Sequence, residues 1–238
     1  MATIEQLRRL FRVKKNELVM MKTRGYRLDV VYIKCQDKFI PVNMSNFDSL
    51  TFEQFIKYRQ DNNCFRTRFE FTSIYFKDNT EPVIVVYLES DPGKKVNAYH
   101  FQYIRDIISN GIFPNLHTHH IIIISENGLN TAIIASIEHE ILGYKIETFT
   151  DMNFALNPTN HCLVPLSIKH IPSENINEWG KKEMLTPQQL PMYLTIDPIA
   201  RWYGASPLDI FEVIRLGSSV EKEWFANICR KPPPEKKK

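Results

Sequence analysis

The order of segments between residues 68 and 149 constrains the fold of this 238-residue chain more than any other feature. Four short runs are rich in β-branched and aromatic residues and have the length of strands: 68–76, 83–88, 118–125 and 144–149. The last three are separated by two segments with helical spacing of apolar residues, 96–109 and 130–141. Strands alternating with helices predict a small mixed sheet flanked by helices, so we expect an α+β fold.

Before this region, residues 3–24 have the pattern of an amphipathic helix that ends before Gly25. Its apolar stripe is expected to be buried: Ile4, Leu7, Phe11, Leu18 and Met21. Its basic residues are expected on the other faces: Arg8, Arg9, Lys14 and Lys15. A strand is predicted at 30–33, and a helix capped by Thr51 is predicted over 51–59.

The sharpest turn signal in the chain is the Asn-Pro-Thr-Asn cluster at 157–160, which predicts a domain boundary. We therefore expect an N-terminal domain over 1–157, a smaller α+β domain over 158–230 and a flexible basic tail over 231–238. The smaller domain is predicted to contain a short helix after Pro172, a second one after Asp197, and strands at 210–215 and 224–229.

Composition excludes several classes of protein. The formal charge of +3 is too small to indicate a nucleic-acid-binding protein by itself. The four cysteines have no Cys-x-x-Cys spacing and predict reduced thiols in an intracellular protein. The polar, basic start is unlike a signal peptide, and no apolar run approaches the roughly 18 residues of a membrane span. We expect no membrane partner.

Signatures of catalysis and cofactor binding are weak. His117 and His119 would share one face of a strand, but no acid or cysteine lies near them, so polarity at the strand entrance is favoured over a metal site. The chain has no glycine-rich phosphate loop and no Gly-x-Ser-x-Gly. We expect no cofactor, no metal, no catalytic residue and no small-molecule substrate.

A metal-dependent nuclease of the restriction type is the sharper enzymatic alternative, because it uses a mixed sheet with flanking helices. Such enzymes place an Asp before a Glu-x-Lys on a central strand to hold a divalent cation. Here the only such triplet begins at Glu235 in the tail, while the strand that ends at Glu89 and Asp91 lacks the lysine.

The segment 197–204, with the sequence DPIARWYG, mixes polar and apolar residues in an unusual way. Asp197 is a good N-cap, Pro198 suits the first helical position, and Gly204 can end the turn in a left-handed conformation. The predicted helix is too short to be stable alone, so neighbouring elements must hold it. It presents Arg201, Trp202 and Tyr203 within one turn.

Three further motifs stand in order around this segment: His-x-Leu-Val-Pro at 161–165, Gln-Leu-Pro at 189–191, and a strand that ends in Arg215. Together the four resemble the small jaw and assembly subunit shared by eukaryotic nuclear RNA polymerases, the fifth subunit, which has a shorter archaeal relative. The resemblance is specific over 158–230 and looser over 1–157, where Arg24-Gly25-Tyr26 matches the end of the family's first helix.

The resemblance implies a non-catalytic subunit of a DNA-directed RNA polymerase, located in the nucleus, which assists assembly and guides downstream DNA. Its N-terminal jaw domain would be restriction-endonuclease-like, and its C-terminal domain would bind the largest subunit, which would itself hold the catalytic Mg²⁺. The implied interface residues are His161, Leu163, Pro165, Leu190, Pro191, Asp197, Pro198, Arg201, Tyr203, Gly204 and Arg215. The implied contacts to downstream double-stranded DNA are Asn127, Gly128, Asn130 and Thr131.

Charge alone adds Arg66, Arg68, Lys94 and Lys95 as candidate DNA contacts. Three segments depart from the family. The loop at 126–131 lacks a proline, and residues 205–209 stand where the family has a basic residue and a glycine. Leu216-Gly217-Ser218 follows Arg215 where the family has Pro-Ser. Such divergence would suit a homologue encoded by a large DNA virus, located in a cytoplasmic viral factory or virion. A free transcription regulator carrying the C-terminal domain is the second alternative.

Overall fold

The structure is a computed structural model that describes residues 3–36, 38–77, 82–89, 93–96, 102, 120–130, 133, 145–216 and 222–232. The chain divides into two compact units, Met1–Leu156 and Asn157–Lys238. Each combines helices with a mixed sheet, which confirms the expected α+β class. Apart from residues 96, 102, 130 and 133, the helices predicted at 96–109 and 130–141 lie outside the described residues, as does most of the basic tail.

The described strands of the first unit form one sheet in the order β2-β1-β3-β4-β5-β6. Their bounds are β1 Val31–Cys35, β2 Lys38–Val42, β3 Ser73–Tyr75, β4 Val83–Leu88, β5 His120–Ser125 and β6 Lys145–Thr150. Pairing is antiparallel from β2 to β4 and parallel from β4 to β6, so the sheet is mixed as predicted. All of β4 and nearly all of β5 are buried, as expected for central strands.

Helix α1 (Ile4–Thr23) begins at a capping box formed by Thr3 and Gln6 and stops before Gly25, which has φ +84°. The predicted apolar stripe is buried except for Ile4, which is 70% exposed. Periodicity gives the direction of a side chain but not whether a neighbour covers it. Lys14 was expected on an outer face, and this was wrong: its side chain is fully buried.

Helix α2 (Phe52–Asn62) begins at Thr51, which forms a capping box with Gln54, as the sequence predicted. The helix packs its Phe55 ring at 4.8 Å from the ring of Phe11 on α1. Phe55 is buried and contacts further rings, so an aromatic cluster joins α1, α2 and the segment before β3.

The second unit contains the helices α3 (Ile176–Glu183) and α4 (Pro198–Trp202). Its sheet has the order β7-β9-β10-β8, with β7 Ser167–Ile171, β8 Met192–Leu194, β9 Ile210–Leu216 and β10 Lys222–Arg230. Strands β9 and β10 were predicted. Strands β7 and β8 were missed because both are short and lie beside prolines, which signal turns more strongly than strands.

Both faces of this second sheet are covered. On one face Ile210 and Ile228 pack with Trp179 of α3. On the other face Phe211 and Cys229 pack with Ala200 of α4. Alternation along β9 and β10 therefore supplies one core beneath each helix. No helix within the described ranges is both long and apolar enough to cross a membrane.

Candidate functional site

Helix α4 has the geometry that its sequence predicted. The Asp197 carboxylate accepts a hydrogen bond from the Ile199 N–H at 2.8 Å, Pro198 occupies the first turn, and Gly204 has φ +68°. Trp202 is buried toward the unit, whereas Arg201 is half-buried. A helix of five residues is thus held by its cap and by the packing of one face.

The 161–165 segment lies next to α4, because the 3₁₀ turn Pro158–Asn160 that precedes it contacts that helix. The ring Nδ1 of His161 accepts a hydrogen bond from the Leu163 N–H at 3.2 Å, so the imidazole shapes its own loop. Leu163 is 82% exposed. The loop therefore presents an apolar side chain to solvent beside the short helix.

Tyr203 and Arg215 lie on the sheet face that α4 covers. The Tyr203 ring meets Phe211 edge-on at 5.6 Å, and Arg215 follows Val213 on the same face with its side chain exposed. Burial raises the pKa of Tyr193 and Asp197 raises it further, while Arg215 opposes them. Asp197 and Arg215 thus act on one tyrosine, which places the start of α4 and the end of β9 in one neighbourhood.

In the first unit, the loop at 126–130 is joined to the turn at 93–96. The Asn127 side chain donates to the Lys94 carbonyl oxygen at 3.2 Å, and the Val96 N–H donates to the Gly128 carbonyl oxygen at 3.1 Å. Gly128 has φ +83°, which favours glycine. Asn127, Gly128 and Asn130 are described, whereas Thr131, His117, His119 and Asp91 lie outside the described residues.

Arg68, a candidate DNA contact by its charge, is engaged inside the first unit. Its guanidinium forms a two-pronged ion pair with Asp151, whose side chain is 1% exposed, and donates to the Leu88 carbonyl oxygen at 2.8 Å. The Arg68 N–H donates to Glu89, so that carboxylate is also engaged inside the unit. Among the described residues, no cluster of three His, Cys, Asp or Glu side chains could hold a metal ion.

Comparison with known proteins adds to this geometry. Residues 156–224 match the family described as RNA polymerase Rpb5, C-terminal domain. A relative in Arabidopsis thaliana, DNA-directed RNA polymerase V subunit 5A, is 24% identical over 217 residues, which cover 91% of this chain and 86% of that protein. The matched range is Rpb5-like. The matched range contains the 161–165 segment, α4 and Arg215, on which the resemblance in the sequence rested.

The Rpb5-like domain does not bring all the implied interface residues to one surface. Leu190 is 8% exposed and belongs to the core beneath α3, on the opposite face of the sheet from α4. The Pro191 carbonyl oxygen accepts a hydrogen bond from the Ile228 N–H, which fixes the start of β8. We define the α4 surface as seven of the remaining residues, without the cap residue Asp197 and without Gly204. Their side chains are exposed or half-buried: His161, Leu163, Pro165, Pro198, Arg201, Tyr203 and Arg215.

Sequence reasoning missed the role of Asp209 in the divergent 205–209 loop of this Rpb5-like domain. Its carboxylate accepts hydrogen bonds from the Ser206 and Ser173 N–H groups at 2.8 Å and lies 2.7 Å from His170. Burial raises the pKa of Asp209, but His170 and the two N–H groups outweigh it, and the pKa is lowered. One acid therefore holds the loop that follows α4.

Proposed function

We propose that this chain is a non-catalytic subunit of a multisubunit DNA-directed RNA polymerase. Residues 158–230 bind the largest subunit through the α4 surface, and residues 1–157 form a jaw beside downstream DNA. The match of 156–224 to the Rpb5 C-terminal domain carries the first part of this proposal. This role puts the chain in the nucleus, or in the viral factory or virion if a large DNA virus encodes it.

The chemistry of the α4 surface supports a protein partner. Leu163 exposes most of its side chain in a loop whose preceding turn contacts α4. Arg201 and Tyr203 are half-buried and lie in and directly after that short, capped helix. Arginine and tyrosine are common among the residues that dominate binding energy, and an exposed leucine next to them adds apolar area to bury. A preformed surface of this kind loses little conformational entropy on binding.

The joined loops of the first unit support the DNA part of the proposal. Lys94 and Lys95 are exposed in the turn that Asn127 contacts, so two positive charges lie next to the 126–130 backbone. Lysines and backbone N–H groups bind phosphates without reading sequence, which suits a jaw that must accept any passing duplex.

The absence of catalysis is also proposed. In the part of the chain that the structure describes, the acids near the centre of the first sheet are already engaged: Glu17 with Lys14, Glu89 with the Arg68 N–H, and Asp151 with Arg68. A restriction-type nuclease needs carboxylates that are open to a cation and to DNA. This favours a scaffold over the nuclease alternative.

A native pull-down tests the assembly role. We expect the tagged full chain to co-purify with the largest polymerase subunit in equal amounts, as identified by mass. Leu163→Asp should reduce that recovery, because it places a carboxylate in the buried interface. The matched control is Met184→Asp, at a side chain that is 91% exposed after α3 and outside the α4 surface.

Equal recovery with both variants would refute the proposed surface, and purification of the chain alone would refute the assembly role. Weak, substoichiometric recovery would instead favour a free transcription regulator. The nuclease alternative is tested separately by incubating the full chain with duplex DNA and Mg²⁺ or Mn²⁺, where we expect no cleavage above that of a mock purification.

A further inference from the structure

A groove of about 740 Å³ lies in the first unit between the N-terminal half of α1 and the turn that follows β6. The polymerase role proposed above does not use it. Its α1 wall carries Arg8, Arg9, Arg12 and Val13, and its opposite wall carries Met152 and Ala155. The groove therefore has both cationic and apolar walls.

The charges along the groove are unequally paired. Arg9 bridges two acids, Glu126 at 2.9 Å and Asp151 at 3.2 Å, and Arg68 also pairs with Asp151. Two guanidinium groups thus meet two carboxylates beside the groove. Their charges cancel, so the rim decides which ligand the groove attracts.

At the rim, Arg12 is exposed, and no described residue forms an ion pair with it. Arg8 lies over the Phe52 ring at 5.2 Å and close to Glu53, while Glu5 is the other acid on the rim. Arg12 is therefore the cation best placed to take an anionic group from a ligand.

The apolar wall distinguishes between anionic ligands. Met152 is 72% exposed, although it follows the deeply buried Asp151, and Ala155 is half-buried beside it. The groove runs along α1 from Thr3 to Val13, which is about 15 Å of helix. An extended peptide covers that length with about four or five residues. A nucleic-acid backbone would meet Arg12 but would leave Met152 uncovered.

We infer that this groove binds a short acidic segment of another protein. A carboxylate of that segment lies on Arg12, a second lies near Arg8, and an apolar side chain covers Met152. Arginine favours this ligand because its planar fork matches a carboxylate, and methionine adapts to apolar partners of different shape. The inference concerns the first unit alone and does not depend on the polymerase role.

Fluorescence anisotropy of the full chain with a labelled peptide of about six residues, composed of glutamates and two leucines, tests this inference. We expect Arg12→Glu to weaken binding about tenfold or more, since attraction becomes repulsion. Met152→Asp should weaken it by a similar factor, and Arg12→Lys by less. The matched control is Lys57→Glu, which makes the same change in net charge on the exposed side of α2 and should leave binding unchanged.

Three results would overturn the inference. Equal loss with Lys57→Glu and Arg12→Glu would mean nonspecific attraction. If a short DNA duplex displaced the peptide and Met152→Asp left peptide binding unchanged, the groove would be a phosphate site. If light scattering showed a dimer of the chain and Arg12→Glu dissociated it, a second copy would fill the groove. If Arg12→Glu lowers the melting temperature of the chain, the peptide affinities of Met152→Asp and Arg12→Lys test the inference in its place.

Discussion

The ammonium of Lys14 lies 2.6 Å from the carboxylate of Glu17, and neither side chain is exposed to solvent. The hydroxyl groups of Tyr75 and Tyr87 donate to the two oxygens of that carboxylate, and Lys14 also donates to Ser73. Burial raises the pKa of both tyrosines well above the ordinary value, and Glu17 raises it further, so both hydroxyl groups keep their protons. The network connects α1 to β3 and β4.

Breaking this pair should destabilise the first unit strongly. Lys14→Met leaves Glu17 buried without its cation, and we expect the free energy of unfolding to fall by about 3–5 kcal/mol. Lys57→Met, at an exposed position of α2, should change it by less than about 0.5 kcal/mol. Urea denaturation followed by circular dichroism measures both.

A double variant separates pairing from packing. Adding Glu17→Leu to Lys14→Met removes the uncompensated charge, so the pair of substitutions should cost less than the sum of the two single ones. Strictly additive costs would show that the two charges do not stabilise each other and would contradict this account.

A second, largely buried carboxylate predicts a pH dependence. Glu147 pairs with Arg24 at 2.7 Å and lies 2.7 Å from His120. Burial raises the pKa of Glu147, but Arg24 and His120 outweigh it and hold the pKa well below its ordinary value. Because the folded pKa is depressed, the stabilisation is complete above the unfolded value of about 4.3 and is lost as the pH falls toward the folded pKa.

Thermal melts between about pH 3 and pH 7 test this dependence. The natural chain should lose stability as the pH falls below about 4.5, and Glu147→Gln should flatten that loss while lowering stability at pH 7. Asp61→Asn, at an exposed position near the end of α2, serves as the control and should leave the shape of the profile unchanged. Parallel profiles for the natural chain and Glu147→Gln would rule out this assignment.

Local signals predicted much of the fold, and long-range pairing explains the failures. Thr51 and Asp197 were predicted as caps because a cap depends on residues within one turn. Lys14 was assigned to an outer face of α1, and Arg68 was a candidate DNA contact. The sequence does not show that Glu17 and Ser73 surround Lys14 in the fold, or that Asp151 pairs with Arg68. A charged residue is exposed by default only when no partner lies inside.

The same distinction between local and long-range contacts applies to the candidate site. The α4 helix and the 161–165 segment are each formed by consecutive residues, so their local geometry could be predicted from the sequence. The anchoring of the 205–209 loop could not, because Asp209 reaches Ser173 and His170, which lie more than 30 residues earlier. Motif order indicated the resemblance to the polymerase subunit, whereas contacts between distant segments required the structure.

The second unit should fold without the first. Its two cores lie beneath α3 and α4 and are built from its own residues. A fragment of residues 158–238 should give dispersed amide signals in NMR and one cooperative thermal transition. Trp179→Ala should cost about 3–5 kcal/mol, because the indole is 6% exposed and packs in the core beneath α3. Undispersed signals from the natural fragment would refute independent folding.

The last prediction concerns Arg201, for which an interface role and a structural role have different consequences. Asp197 already uses one carboxylate oxygen to cap α4, and Arg201 is half-buried on that helix. If Arg201 binds the largest subunit, Arg201→Ala should weaken that association by roughly 2 kcal/mol or more. Lysine should not replace it, since a point charge cannot form the same two-pronged contact.

Two measurements separate these roles. We expect the melting temperature of the 158–238 fragment to change little in Arg201→Ala, because a partly exposed ion pair contributes at most about 1 kcal/mol. Pull-down of the largest subunit by the full chain should fall, while Lys181→Ala on the exposed side of α3 should leave it unchanged. Unchanged pull-down together with a large drop in melting temperature would make Arg201 a residue of the fold, and the partner-binding role would pass to Leu163 and Tyr203 on the same surface.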